Sequence, residues 1–163
     1  MSASESGQFE VTGIYDSETY EPRKSVGHLL GRLRGEMLAA LDKELAADDR
    51  LAGLEVSAAQ LIIIAALASG ERRSASELCK GISYDAGAMT RMLDRLESKG
   101  LIRRERCPND RRLVYLELTE EGRATYPRMR EISRRVGNRF LQGFTRAESG
   151  QLEGFLRRML ENA

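Results

Sequence analysis

The sequence has no tryptophan, a single histidine and only two cysteines in 163 residues. One histidine and two cysteines at unrelated positions provide neither the clustered ligands of a zinc site nor a disulfide framework. The chain also lacks a glycine-rich phosphate loop and a nucleophile with an apparent base, so nothing indicates a catalytic centre. We therefore predict a protein that is not an enzyme and that holds no metal or cofactor.

Long hydrophobic runs are also absent. The longest apolar run covers residues 61–68, whereas a membrane-spanning helix needs about 20 residues. The first 22 residues contain five acidic and no basic side chains, the opposite of a secretory signal. We expect a cytoplasmic protein that has either one domain with a full core or one small domain with helical additions.

Positive charge is concentrated in the middle of the chain, although the net charge is only +1. Between Arg72 and Arg112 there are eleven basic and six acidic residues. A local basic field of this kind suits a phosphate-bearing partner. Taken alone, it is equally typical of a solvated charged surface.

Capping patterns divide the chain into short helices. A Ser or Thr is followed three residues later by Glu or Gln at Ser57, Ser74 and Thr145, and Thr119 precedes two glutamates. Glycines at 70, 100 and 143 stand where helices should end. With the apolar periodicity, these marks predict helices over Pro22–Ala47, Ser57–Ser69, Ser74–Lys80, Asp85–Lys99, Thr119–Gln142 and Thr145–Asn162.

Two short strands are predicted over Leu101–Arg106 and Leu113–Leu118. The polar segment 107–112 between them contains Pro108 and Asn109, which favour a turn. This is a hairpin with a cationic tip. The predicted fold class is mainly α with a small β-hairpin wing, in the order of a winged helix-turn-helix.

In such a module the second helix enters the major groove of DNA. Small residues begin that helix (Ala86, Gly87 and Ala88), so its backbone can approach base edges closely. Arg91 faces outward one turn later, where a bidentate contact to guanine is possible, and Thr90 and Arg95 are better placed for phosphates. Arg111 or Arg112 at the tip of the hairpin suits the minor groove.

Two motifs resemble those of MarR-type regulators. Residues 109–122, NDRRLVYLELTEEG, resemble the wing signature of that family, Asp-x-Arg followed by Leu-Thr-x-x-Gly. Residues 90–101, TRMLDRLESKGL, resemble its recognition helix and exit, and residues 57–60, SAAQ, the start of its second helix. The resemblance extends over about residues 24–160. Cys107, where many members have an acid, and Asp85, an acid near DNA, depart from the pattern.

The resemblance implies a homodimer that binds a pseudo-palindromic operator. It implies that Arg91 and its neighbours read bases, that Arg112 enters the minor groove braced by Asp110, and that Ser57 and Ser74 at helix starts contact DNA. Apolar terminal helices in so small a chain favour a dimer independently. We expect a flexible arm over 1–21, a dimerisation helix and connection over 22–56, the winged module over 57–118 and dimerisation helices over 119–163.

The resemblance also implies release from DNA by a small aromatic acid or phenol. His28 and Arg32 share a face of the first helix, and such a pair suits a carboxylate, although a packed or surface histidine is the commoner reading. Redox sensing through Cys79 or Cys107 is an alternative, without an evident resolving partner. Repression by occlusion of a promoter is the expected sign of regulation.

A winged helix that binds a protein instead of DNA is the remaining alternative, because fold alone does not settle function. The cationic wing and Arg91 argue against it, since a protein-binding module does not need them.

Overall fold

The computed structural model describes residues 13–70, 73–82, 84–106 and 113–163. The chain forms two compact units, one ending at Gly35 and the other comprising Glu36–Ala163. Helices predominate, and one small sheet accompanies them, as the predicted fold class requires. The helices are α1 (Val26–Ala46), α2 (Ala58–Leu67), α3 (Ala75–Ile82), α4 (Ala86–Ser98), α5 (Glu120–Phe140) and α6 (Arg146–Glu161); the strands are β1 (Arg73–Ser74), β2 (Ile102–Arg106) and β3 (Val114–Leu118).

In the first unit, hydrogen bonds fix the start of α1. A 3₁₀ turn over Pro22–Lys24 precedes the helix. The hydroxyl of Ser25 donates to the carbonyl of Pro22 at 2.7 Å and accepts from the amide of His28 at 3.3 Å. The phenol oxygen of Tyr15 accepts from the amide of Val26 at 2.8 Å. These bonds satisfy amides that the first turn of a helix leaves without partners.

The second unit is built around α2, as its uniformly apolar sequence predicts. Leu61, Ile63 and Ile64 are at most 3% exposed. Each such side chain contributes about 1.5–3 kcal/mol relative to an exposed one. They pack in one cluster with buried residues of α3, α4, α5 and the sheet, so the helices of the winged module share a single core.

The predicted caps form. Ser57 and Gln60, and likewise Thr145 and Glu148, make reciprocal capping boxes, and the hydroxyl of Thr119 accepts from the amide of Gly122. The three helix-ending glycines at 70, 100 and 143 have φ of 82°, 68° and 90°, a region that glycine adopts without steric cost. Local sequence therefore decides where these helices begin and end.

The sheet has three antiparallel strands in the order β1-β3-β2. Strands β2 and β3 pair from Ile102 opposite Leu118 to Arg106 opposite Val114, which is the predicted hairpin. The two-residue strand β1 was not anticipated, because so short a segment shows no alternating pattern; it pairs Arg73 with Leu116. The wing strands are thereby attached to the chain just before α3.

The exit of α4 and the entry of α5 form a hydrogen-bonded joint. The hydroxyl of Thr119 donates to the carbonyl of Gly100 at 2.6 Å and accepts from the amide of Gly122 at 3.0 Å. The amide of Thr119 donates to the carbonyl of Leu101 at 3.1 Å. A threonine at this position thus connects the two helices through both its side chain and its backbone.

Ion pairs connect α5 to the C-terminal end of α1 and the turn after it. Arg128 binds Asp48, a carboxylate only 4% exposed, at 2.6 Å. Arg139 and Arg135 both face Glu44, at 3.1 and 3.5 Å. These contacts hold the long helix α5 against the remainder of the second unit.

Candidate nucleic-acid interface

Helices α3 and α4 form the predicted helix-turn-helix, and α4 has two distinct faces. Its inner face carries Met89, Leu93 and Leu96, each at most 1% exposed. Its outer face exposes Thr90, Arg91, Asp94 and Arg95. The side chain of Asp85 caps the helix by accepting from the amide of Ala88 at 2.8 Å. The polar face of α4 is thus the one available to a partner.

The first turn of α4 is small and open. Ala86 and Gly87 are exposed and Ala88 is half-buried. A Cβ atom at position 87 would lie 3.5 Å from a terminal guanidinium nitrogen of Arg91. Arg91 therefore extends back along this turn, over the residues whose backbone was predicted to approach bases.

The polar groups of the outer face differ in whether they already have hydrogen-bond or ion-pair partners within the protein. The hydroxyl of Thr90 donates to the carbonyl of Ala86 at 2.8 Å, so it must break that bond before donating to a phosphate. In the part of the chain that the structure describes, Arg91 and Arg95 have no ion-pair partner. These two guanidinium groups are available to an anion.

Arg104 on β2 neutralises two acids of α4. Its guanidinium binds Asp94 at 2.6 Å and also Glu97. The hydrogen bond that Arg104 donates to Asp94, together with the charges of both carboxylates, raises the pKa of Arg104 despite its partial burial. The bridge connects β2 to α4 and reduces the net negative charge on α4, which favours a polyanionic partner.

Ser57 and Arg95, both predicted to contact DNA, line one cavity of about 380 Å³ between the start of α2 and the second half of α4. Sequence reasoning missed a third polar group there, Lys99. It follows Arg95 by four residues and so shares its helix face, a spacing that could have indicated it. The fold thus brings together three groups suited to an anion.

Ser74 is fully engaged in its cap. Its amide and hydroxyl both donate to the carboxylate of Glu77, at 2.7 and 2.8 Å, and these bonds lower the pKa of Glu77. The hydroxyl oxygen accepts from the amide of Glu77 at 3.4 Å. A DNA contact by Ser74 remains a prediction, and it requires this cap to rearrange.

The predicted wing strands are present, and Arg103 pairs across them with Glu117 at 3.0 Å. The tip of the hairpin, which includes Cys107, Asp110, Arg111 and Arg112, lies outside the described residues. Its predicted minor-groove role stays a prediction.

The two predicted ligand contacts lie in the first unit. His28 and Arg32 are both exposed and stand one turn apart on α1. The predicted aromatic-acid site therefore remains a hypothesis that rests on their shared face.

Comparison with known proteins identifies the family of this chain. Residues 56–114 match the model of the MarR family. Over 132 residues the chain is 33% identical to the multiple antibiotic resistance protein MarR of Escherichia coli strain K12, covering 80% of this chain and 90% of that protein. The chain belongs to the MarR family.

Two solved structures similar to this chain have the same fold. BpsR from Bordetella bronchiseptica, whose DNA binding is regulated by 6-hydroxynicotinic acid, has a TM-score of 0.74 at 26% identity, covering 86% of this chain and 96% of that one. A mutant MarR from E. coli complexed with operator DNA has a TM-score of 0.71 at 30% identity, with coverages of 82% and 92%.

The MarR-family assignment confirms the prediction of a winged helix-turn-helix transcriptional regulator rather than an enzyme. Two relatives are HTH-type transcriptional repressors, NicR of Pseudomonas putida and MdtR of Bacillus subtilis. Within the described ranges, each helix is too short or too polar to cross a bilayer.

Proposed function

We propose that this chain is a homodimeric repressor that binds a pseudo-palindromic operator and is released by a small aromatic acid or phenol. Helix α4 enters the major groove, and the wing enters the adjacent minor groove. Two copies related by two-fold symmetry present their α4 helices to successive half-sites.

The outer face of α4 is the observation that carries this proposal. It combines arginines that have no ion-pair partner among the described residues with a first turn of small residues, while Met89, Leu93 and Leu96 fix the helix to the core. Arg91 suits a guanine edge, and Arg95 and Ser57 suit the backbone. A module that binds only proteins does not require such a face.

Exposed apolar side chains support the dimer. In the first unit, Val26, Leu29 and Leu33 are between 41% and 54% exposed along α1. In the second unit, Phe155, Met159 and Leu160 of α6 are between 44% and 75% exposed. Large apolar side chains clustered on terminal helices mark a protein interface, and a second copy of the chain is the partner we infer.

The ligand class rests on a relative. BpsR responds to 6-hydroxynicotinic acid, an aromatic acid. His28 and Arg32 are the residues proposed to hold the carboxylate of such a ligand. Binding must then change the spacing of the two recognition helices, because a ligand acts only through a difference in affinity between two states.

The experiment is a titration of the purified protein against the promoter DNA that flanks its own gene, with random-sequence competitor and across salt concentrations. Competitor-resistant binding that falls steeply with salt is expected. Sedimentation should show a dimer, and aromatic acids screened in the same assay should release the DNA. Binding no stronger than to competitor, by folded protein freed of small molecules by dialysis, would contradict the proposal.

A further inference from the structure

We propose that the cavity between the start of α2 and the second half of α4 binds one backbone phosphate of DNA. Four side chains hold the phosphate: Ser57, Gln60, Arg95 and Lys99. This inference rests on the proposed DNA-binding function and deepens it. It assigns a phosphate-binding role to Lys99 and Gln60, for which the sequence alone predicted no contact with DNA, and gives the cavity a ligand of defined chemistry.

The capping box at the start of α2 leaves two hydrogen-bond donors at this cavity. The hydroxyl of Ser57 accepts from the amide of Gln60 at 3.3 Å, which leaves its own hydrogen for another acceptor. The side-chain oxygen of Gln60 accepts from the amide of Ser57 at 3.1 Å, which fixes the orientation of the side-chain amide. Its nitrogen then faces away from the cap.

Gln60 is only 4% exposed, yet its side-chain amide nitrogen is not one of the fully buried polar atoms that lack a partner among the described residues. Among the residues that the structure describes, this nitrogen has no hydrogen-bond acceptor, although the residue lines the cavity. An anion in the cavity supplies the acceptor.

Lys99 is held in place before any ligand arrives. Its ammonium donates to the carbonyl of Glu55 at 2.6 Å, which uses one of its three donors. Burial, with the neighbouring charge of Arg95, lowers the pKa of Lys99, and Glu55 opposes this. A phosphate between the two cations relieves their repulsion, as a charged ligand of opposite sign should.

One lining group opposes an anion. Glu55 also lines the cavity, and its negative charge acts on Lys99; its φ of 46° and ψ of 41° are left-handed. The cavity therefore has two positive side chains and one negative one. Because the excess is positive and the remaining polar groups are donors, the chemistry fits a phosphate diester better than a cation.

Removing the negative charge of Glu55 should change the affinity for DNA in the opposite direction to removing the positive charge of Lys99. Lys99→Gln retains a hydrogen-bond donor for the carbonyl of Glu55 but removes the charge, Lys99→Arg retains both, and Glu55→Gln removes the opposing charge. Lys43→Gln is the matched control, because Lys43 is exposed in the last turn of α1 and does not line the cavity.

Affinity for the promoter duplex and for a random duplex is measured by fluorescence anisotropy between about 50 and 200 mM salt. Lys99→Gln should weaken both about tenfold at low salt and reduce the slope of log affinity against log salt by about 0.9. Lys99→Arg should restore the slope, Glu55→Gln should strengthen both complexes, and Lys43→Gln should match the unsubstituted protein. Circular dichroism melts verify that each variant is folded.

Two results would overturn the proposal. If folded Lys99→Gln and Glu55→Gln keep the affinity and slope of the unsubstituted protein, Lys99 does not bind a phosphate. If calorimetry shows that Lys99→Gln abolishes binding of inorganic phosphate while DNA binding is unchanged, the cavity takes a free anion instead. If the unsubstituted protein does not bind any duplex, the proposed function itself fails, and that outcome is visible before any variant is compared.

Discussion

Gly122 packs against the backbone of Leu101 so closely that a Cβ atom at position 122 would lie 2.1 Å from the carbonyl oxygen of Leu101. No real Cβ atom tolerates that separation, and the neighbour is backbone, which cannot rotate away. The contact explains why glycine ends the Leu-Thr-x-x-Gly motif: the start of α5 must lie directly on the exit of α4.

Gly122→Ala should therefore lower the free energy of unfolding by about 1–3 kcal/mol, the usual cost of overpacking. Urea denaturation followed by circular dichroism measures the change. Gly137→Ala is the control, because Gly137 lies in the same helix and an added Cβ there would have, apart from the adjacent residues and backbone of α5 itself, no described atom within 4 Å. It should be neutral or stabilising by up to about 1 kcal/mol, and equal losses in both variants would contradict the steric explanation.

Arg91→Ala should reduce base preference more than overall affinity. A bidentate contact to guanine contributes about 1–3 kcal/mol of discrimination between bases. Its loss should reduce the difference in affinity between the promoter duplex and a random duplex. Competition binding at fixed salt measures that difference. If the affinities for both duplexes fall by the same factor, Arg91 contacts phosphate and not a base.

Arg104→Gln should weaken promoter binding, because it uncovers the carboxylates of Asp94 and Glu97 beside the DNA and detaches β2 from α4. Adding Asp94→Asn and Glu97→Gln to that variant removes the exposed charges and should recover part of the affinity. Anisotropy titrations of the single and triple variants provide the comparison. If the triple variant recovers no affinity, the ion pairs of Arg104 act only by attaching β2 to α4.

Arg112→Ala should weaken promoter binding while the fold and the dimer are retained, as expected for a side chain inserted in the minor groove. Binding titrations and sedimentation test both parts. A variant that binds as tightly as the unsubstituted protein would show that the wing assignment is wrong.

Acid should destabilise the protein through Asp48. The hydrogen bond from Arg128 is the largest of the effects that hold the pKa of Asp48 below its usual 3.8. Because the pKa is lower in the folded state, the stabilisation is complete above 3.8 and is lost as the pH falls through the folded value. Asp48→Asn should be less stable at neutral pH and should lose less stability on acidification, whereas Asp49→Asn, at an exposed neighbour, should follow the unsubstituted protein. Urea denaturation from pH 7 downward measures both.

The sequence predicts the helices well because their signals are local. The hydroxyls of Ser57, Thr119 and Thr145 and the glycines at 70, 100 and 143 act within three or four residues. The inward and outward faces of α4 follow from periodicity alone. These features need no knowledge of the remainder of the chain.

The parts that could not be predicted depend on distant contacts. The cavity unites Ser57 with Arg95 and Lys99, and the bond from Lys99 to the carbonyl of Glu55 joins residues 44 positions apart. The steric need for glycine at 122 likewise appears only once α5 lies on Leu101. Periodicity also marks Val26, Leu29 and Leu33 as one apolar face, but it cannot say what covers that face.

The joint at Thr119 has a mechanical consequence. Its hydroxyl and amide use three hydrogen bonds to connect the exit of α4 to the entry of α5, and the absence of a side chain at Gly122 removes any spacer between them. Because these bonds join the two helices at one point, we expect a tilt of α5 to move α4 with it. The angle at which the outer face of α4 is presented to a partner is consequently set by the position of α5.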